Sequence, residues 1–339
     1  MKRILCVAMA VLMLCSVFMM TGCEAKTLKF GMGVSAAYGT QKDADGETNG
    51  SGEFNATVVA VLVDESGKIV AIDLDTAQVK TAWTAEGAAV EAGEIKTKYE
   101  QGADYGMAAY GKKHDGSEGQ PKEWFEQADA FMATATGKTL DEVKAMVGAD
   151  GYTTGDLVTA GCTVNVATFV DALEKAVATA VESEAGAKDV VNFGTDISVS
   201  GKDASEEADG TAQADVTFVA TAVSEKGTVT AAKTDAVQGK MTYNMTGAST
   251  LAASEAKTKG ELGTDYGMAA YGKKHDGSEG QPKEWFEQAA AFDAALVGKT
   301  AGDFAALAGA DGYATGDLAT AGCTINVGSM IEAAVKATK

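Results

Sequence analysis

Two segments of the chain, LVTAGCTVNV at residues 157–166 and LATAGCTINV at residues 318–327, each set a cysteine directly before a threonine. Cys162 and Cys323 are nucleophiles by type, but a thiol attacks only as an exposed thiolate with a base beside it. The two histidines, His114 and His275, each sit in a KKHDGSEG loop remote in sequence from the cysteines. A cysteine-dependent surface enzyme is therefore one reading with little local support. The threonines suggest another chemistry. Thr163 and Thr324 lie just ahead of helical patterns, where free backbone N–H groups and the helix dipole favour a phosphate.

Other motifs yield less. No second histidine or cysteine lies near either histidine, so no metal site is expected. GMGVSA at 31–36 fits the dinucleotide pattern G-x-G-x-x-A but runs into polar loop formers, and reads as a glycine-rich strand. DADGETNGSGEF at 43–54 breaks the calcium-loop template at Thr48 and Phe54, and reads as a hairpin loop. Trp124 and Trp285 fall at helical spacing with Phe131 and Phe292, which points them into a core. Tyr105 and Tyr266, in DYGM loops, are candidates for lining a ligand pocket. The pairs Lys112–Lys113 and Lys273–Lys274 could meet an anion.

The elements that must position these residues come in duplicate. DYGMAAYGKKHDGSEGQPKEWFEQA at 104–128 recurs unchanged at 265–289, and the same offset of 161 carries Asp150 to Asp311 and Cys162 to Cys323. A period this long matches a globular domain and exceeds any solenoid repeat. The expectation is two units, 23–186 and 187–339, each able to bury its own core. In each, Val-rich and Ile-rich strand patterns come first (FNATVVAVLVD and KIVAIDLD; ADVTFVATAVS and TVTAAKT). Helices follow. Pro121 opens one bearing Trp124, Ala128, Phe131 and Met132 on one face. TLDE at 139–142 caps a second, and Phe169, Leu173, Val177 and Val181 mark a third. The fold class is α+β, an antiparallel sheet covered by helices.

Residues 1–22 combine Lys2 and Arg3 with an apolar run from Ile4 to Met20, the pattern of a signal peptide. The run would span only about 25 Å as a helix, short of a comfortable membrane crossing. Its end, MTGC, resembles a bacterial lipobox with Met20 where leucine is commoner. That implies cleavage before Cys23, acylation of its thiol, and anchoring to the extracytoplasmic face of the cell membrane. Without Lys2 and Arg3, 26 basic side chains face 48 acidic ones, a net charge of −22, which disfavours nucleic acid as a partner. Arg3 is the sole arginine, so no guanidinium clamp for phosphate remains.

The run from KTKYEQGADYGM and EWFEQADAF to AGCTVNVATFVDAL resembles the FMN-binding lipoproteins of Gram-positive bacteria, in both halves. The resemblance implies tandem flavin domains with FMN attached covalently, through a phosphodiester to a threonine hydroxyl. It also implies a flavin transferase that recognises D-x-x-[S/T]-[G/A]-A-T. The matching segments here are DLVTAGCT from Asp156 and DLATAGCT from Asp317. One extra residue separates aspartate from threonine, and Cys162 and Cys323 replace the usual alanine. Two registers follow, Thr163 with Thr324 or Thr159 with Thr320, of which the first is preferred. The implied function is extracellular electron transfer: a carrier rather than a stand-alone enzyme, fed by a membrane NADH dehydrogenase or quinol donor and discharging to extracellular acceptors. A tether suits that role, because it keeps the flavin at high effective concentration where a released cofactor would diffuse away. The chief alternative is a flavin-free surface binding lipoprotein.

Overall fold

A computed structural model of the chain describes residues 27–109, 122–251, 255–271 and 283–339, with the backbone alone over 272–275. The leader with Cys23, Lys112, Lys113, His114 and Pro121 lie outside the described residues, as do the side chains of Lys273, Lys274 and His275. Among the described residues no helix is long and apolar enough to cross a membrane, and no cluster of His, Cys, Asp and Glu could hold a metal ion.

The fold is α+β. Three long strands, β1 (Lys29–Lys42), β2 (Gly50–Val63) and β3 (Ile69–Trp83), form an antiparallel meander. The short β4 (Ala89–Val90) extends it beside β3, and β5 (Val181–Glu182) pairs with β1. Between them come α1 (Lys98–Gln101), a 3-10 turn (Gly102–Tyr105), α2 (Trp124–Ala135), α3 (Leu140–Lys144), α4 (Asp156–Ala160) and α5 (Ala167–Ala178). The second half repeats the plan. Its sheet is β6 (Val190–Lys202), β7 (Gly210–Val223) and β8 (Val229–Tyr243). The short β9 (Glu255–Ala256) follows, then α6 (Lys259–Leu262), α7 (Met268–His275), α8 (Trp285–Leu296), α9 (Gly316–Thr320) and α10 (Gly328–Lys336).

Strand β2 shows why the layers stack as they do. Residues Val58 to Leu62 are all fully buried, so both faces of the strand are covered. Val59, Val61 and Val63 pack on the helices with Trp124, Phe131 and Phe169. Val58, Ala60 and Leu62 face the other way, into a cluster with Val216, Phe218 and Tyr243 of the second sheet. The two sheets therefore pack face to face, with helices outside each. Each half buries one cluster beneath its own helices, and a central core between the sheets is common to both. The apolar run from Val58 to Val63 leaves that part of β2 no polar face for solvent, and the partner sheet supplies the cover on the side away from the helices. At the centre Trp83 stacks on Tyr243, ring centroids 4.7 Å apart, and the Trp83 indole N–H donates to Gly247 O at 2.8 Å.

Reciprocal contacts tie the halves further. Lys175 of α5 donates to Val34 O of its own half at 2.9 Å and pairs with Glu261 of α6 at 2.8 Å. Lys336 of α10 donates to Thr195 O and pairs with Glu100 of α1, each at 2.8 Å. Strand β9 pairs with β1 through Ala36 and Ala256. GMGVSA is a strand, as read, and its glycines serve packing: a Cβ on Gly33 would stand 2.3 Å from Ala172 O of α5. The TLDE capping box forms, with Glu142 N donating to Thr139 Oγ1. Helix α5 ends at Ala178, so Val181 is not part of its apolar face; it lies in β5 and is 62% exposed.

Several acids are buried along the sheets. Burial pushes the Asp73 carboxyl up to about 6 and Asp75 up to about 7, although backbone N–H groups of Leu74 and Phe193, and of Tyr99 and Thr76, pull them down. Asp235, aligned with Asp75, is raised for the same reason. A raised folded-state value means the fold prefers the neutral acid. That stability is present in full below the unfolded value near 4 and is lost as pH rises through 6 to 7. The melting temperature is accordingly expected to fall between about pH 5 and about pH 8, and Asp75→Asn to flatten the slope; circular dichroism melts across that range check it.

Candidate functional site

The duplicated segment that ends in Gly-Cys-Thr is folded by short-range hydrogen bonds. Tyr152 bridges to Asn165 and Val147 to Thr153, while the Thr153 hydroxyl donates to Cys162 O at 2.6 Å. Helix α4 starts after Gly155 and ends at Gly161, whose φ of 93° is the left-handed conformation that favours glycine. A Cβ on Gly161 would also stand 2.2 Å from the Lys122 ammonium, which donates to Ala160 O at 3.1 Å. Glycine at this position lets the lysine lie across the turn.

The turn separates cysteine from threonine. Cys162 is fully buried among Leu157, Phe131 and Phe169, and Cys323 is its buried counterpart; both are free thiols. Burial pushes the Cys162 thiol up to about 11, against the smaller pull of the Val164 N–H and Lys122, and raises Cys323 likewise. Neither thiol is poised for nucleophilic attack. Alkylation of both by iodoacetamide is expected to run at least ~100-fold slower in the folded chain than in denaturant, by thiolate fraction and access together; intact-mass kinetics measure the ratio.

Thr163 is exposed. Its backbone N–H and its hydroxyl both donate to Gln127 Oε1, at 2.8 and 3.1 Å. Gln127 is buried on α2, and its amide donates to Lys122 O and to the Met107 sulfur. The second half repeats each contact. Thr324 donates to Gln288 Oε1 at 2.8 and 3.3 Å, and Lys283 to Ala321 O at 2.8 Å beside Gly322, φ 93°. The alternative hydroxyls, also exposed, donate to backbone instead of to a glutamine: Thr159 to Gly155 O and Thr320 to Gly316 O.

The structure corrects the placement of the threonines at a helix N-terminus. Helix α5 begins after Val166, and its first free N–H, of Ala167, is taken by Asn165 Oδ1. The Thr163 N–H is likewise engaged. The cation at this turn is Lys122, not the helix dipole. Asp156 lies at the start of α4, three-quarters exposed, with Lys138 at 3.6 Å; Asp317 is the exposed first-turn acid of α9. The Tyr105 and Tyr266 hydroxyls bond Gln78 and Gln238 of β3 and β8, and Lys98 and Lys259 lie 5.0 Å from their ring centroids.

Three pairs escaped the sequence reading: Gln127 with Gln288, Lys122 with Lys283, and Tyr152 with Tyr313. The tyrosines are about half exposed beside the Gly-Cys-Thr turns. The first two pairs lie within the unchanged block at 104–128 and 265–289.

No family model matches the chain, and no solved structure matches it. A curated relative, chlorophenol reductase of Desulfitobacterium hafniense, is 32% identical over 137 residues. That match covers 35% of this chain and 38% of the relative, so the chain spans little over a third of the relative's length.

Proposed function

We propose that the protein is a lipid-anchored extracytoplasmic flavoprotein that carries FMN on Thr163 and Thr324 and passes electrons between a membrane donor and extracellular acceptors. One observation carries the reading: each half presents an exposed threonine hydroxyl in the same frame, with a buried glutamine behind it and a lysine across the adjoining glycine turn. The residues fit a phosphate ester. The hydroxyl oxygen has its proton directed to Gln127 or Gln288, which leaves its lone pairs outward, and Lys122 or Lys283 supplies the cationic side chain that the missing arginines do not. The exposed Tyr152 and Tyr313 rings offer aromatic faces beside the turn. The flavin, when bound, supplies the redox chemistry; the chain holds it at the surface, within reach of donors and acceptors.

The domain pair implied by the resemblance, with an anchor at Cys23 and an NADH dehydrogenase or quinol donor, belongs to the same proposal. The likeness to a reductase supports a redox setting. Co-expression with a flavin transferase, followed by denaturation and intact-mass analysis, tests it: two FMN adducts per chain are expected. A colourless protein of unmodified mass would refute it and favour a flavin-free binding lipoprotein.

A further inference from the structure

A cavity of about 470 Å³ opens where the halves meet, between β1 and α5 of the first and β8, α6 and α8 of the second. Its counterpart across the duplication, about 420 Å³, leaves one buried hydroxyl, that of Thr195, without a partner, but its carboxylates are engaged. There Asp73 and Asp75 accept backbone N–H groups, and the Tyr99 hydroxyl donates to Asp129 at 2.8 Å. In the larger cavity the positions of Tyr99 and Asp129 are Gly260 and Ala290, and those of Met132, Leu74 and Asp73 are Asp293, Thr234 and Lys233. Space has been gained together with two polar groups, Asp293 and Thr234, and a lysine stands where the other half has an acid.

Those groups are left open. Asp293 Oδ1 and Thr234 Oγ1 are sealed from solvent and have no hydrogen-bond partner; the Thr234 amide and hydroxyl lie near enough to favour ionised Asp293 without closing a bond of normal geometry. Lys233 also favours it by charge yet enters no salt bridge among the described residues. The other charges facing the cavity are occupied: Asp235 accepts the Ala236 and Gly260 N–H groups, and Lys175 is held by Glu261 and Val34 O. A buried acceptor without a donor is costly, so the arrangement calls for a ligand that supplies donors. Met32, Trp285 and Phe286 add apolar and aromatic wall, and the volume suits a small organic molecule.

We propose that this cavity binds a small zwitterion with an apolar side chain, an amino-acid-like ligand whose ammonium donates to Asp293 and Thr234 and whose carboxylate meets Lys233. Burial pushes the Asp293 carboxyl up to about 7, and an ammonium beside it would favour the ionised form.

The test is calorimetric titration of the full chain with L-leucine, L-methionine and L-phenylalanine, and with the half-probes phenethylamine and 3-phenylpropionate. At least one amino acid is expected to bind. Each half-probe forfeits one charge-assisted hydrogen bond and should bind roughly ten- to a hundredfold more weakly than phenylalanine. Asp293→Asn and Lys233→Met should weaken amino-acid binding by a similar factor. Ala290→Trp, at an exposed rim position, should block entry without touching the core. The proposal is overturned if no amino acid binds, if phenethylamine matches phenylalanine, or if binding is unchanged in all three variants.

Discussion

Trp83→Ala is expected to destabilise the whole chain by about 3–5 kcal/mol, the range for removing a fully buried aromatic, and to lower a single cooperative transition. Trp83 is fully buried, stacks on Tyr243 at an interplanar angle of 8°, and donates its indole N–H to Gly247 O. Both interactions cross from one half to the other. Truncation would open a cavity on the common core and leave the Gly247 carbonyl without its indole donor, so both halves share the loss. The reciprocal pairs of Lys175 with Glu261 and Lys336 with Glu100 work in the same direction. Urea unfolding followed by tryptophan fluorescence and by far-ultraviolet circular dichroism separates the possibilities. Coincident curves with a lowered midpoint are expected. Two resolved transitions, only one of them shifted, would show that the halves unfold independently and that the central cluster contributes little coupling.

Strand, helix and cap positions were legible because each rests on local chemistry. The Val-rich runs, the TLDE box and the Trp-Phe spacing produce the same elements in any globular setting. The meeting of the two sheets was harder to see. Its sign was the unbroken apolar run from Val58 to Leu62, which needs cover on both faces; helices alone cover one. The site divides along the same line. The exposed threonine and the buried cysteine follow from a single left-handed glycine, Gly161, which turns adjacent side chains to opposite environments. Gln127 of α2 meets Thr163 from 36 residues away, and Lys122 meets the Ala160 carbonyl from 38 residues away; no local rule could place them. Tyr105 shows the same limit: a loop residue by sequence, it is drawn onto β3 by Gln78.

Replacing Thr163 and Thr324 by alanine should remove covalent flavin in two equal steps, one adduct with each single variant and none with the double variant. The geometry also predicts that this loss is not a folding defect. The backbone N–H of each residue keeps its bond to Gln127 or Gln288 at 2.8 Å, so the buried carbonyl of the glutamine stays satisfied. The cost of deleting an exposed hydroxyl bond is then about 1 kcal/mol or less, readable as a small shift in the urea midpoint. Thr159→Ala and Thr320→Ala serve as the contrast. Their hydroxyls bond the carbonyls of Gly155 and Gly316 in place of a buried glutamine, and their loss should leave both adducts in place. Lys122→Met removes the ammonium over Gly161 while keeping the stem; as a positioning change it should slow flavin loading at the first site and spare the second. Retention of two adducts in the Thr163→Ala, Thr324→Ala double variant would move attachment to the earlier hydroxyls and separate this frame of glutamine and lysine from flavin chemistry altogether.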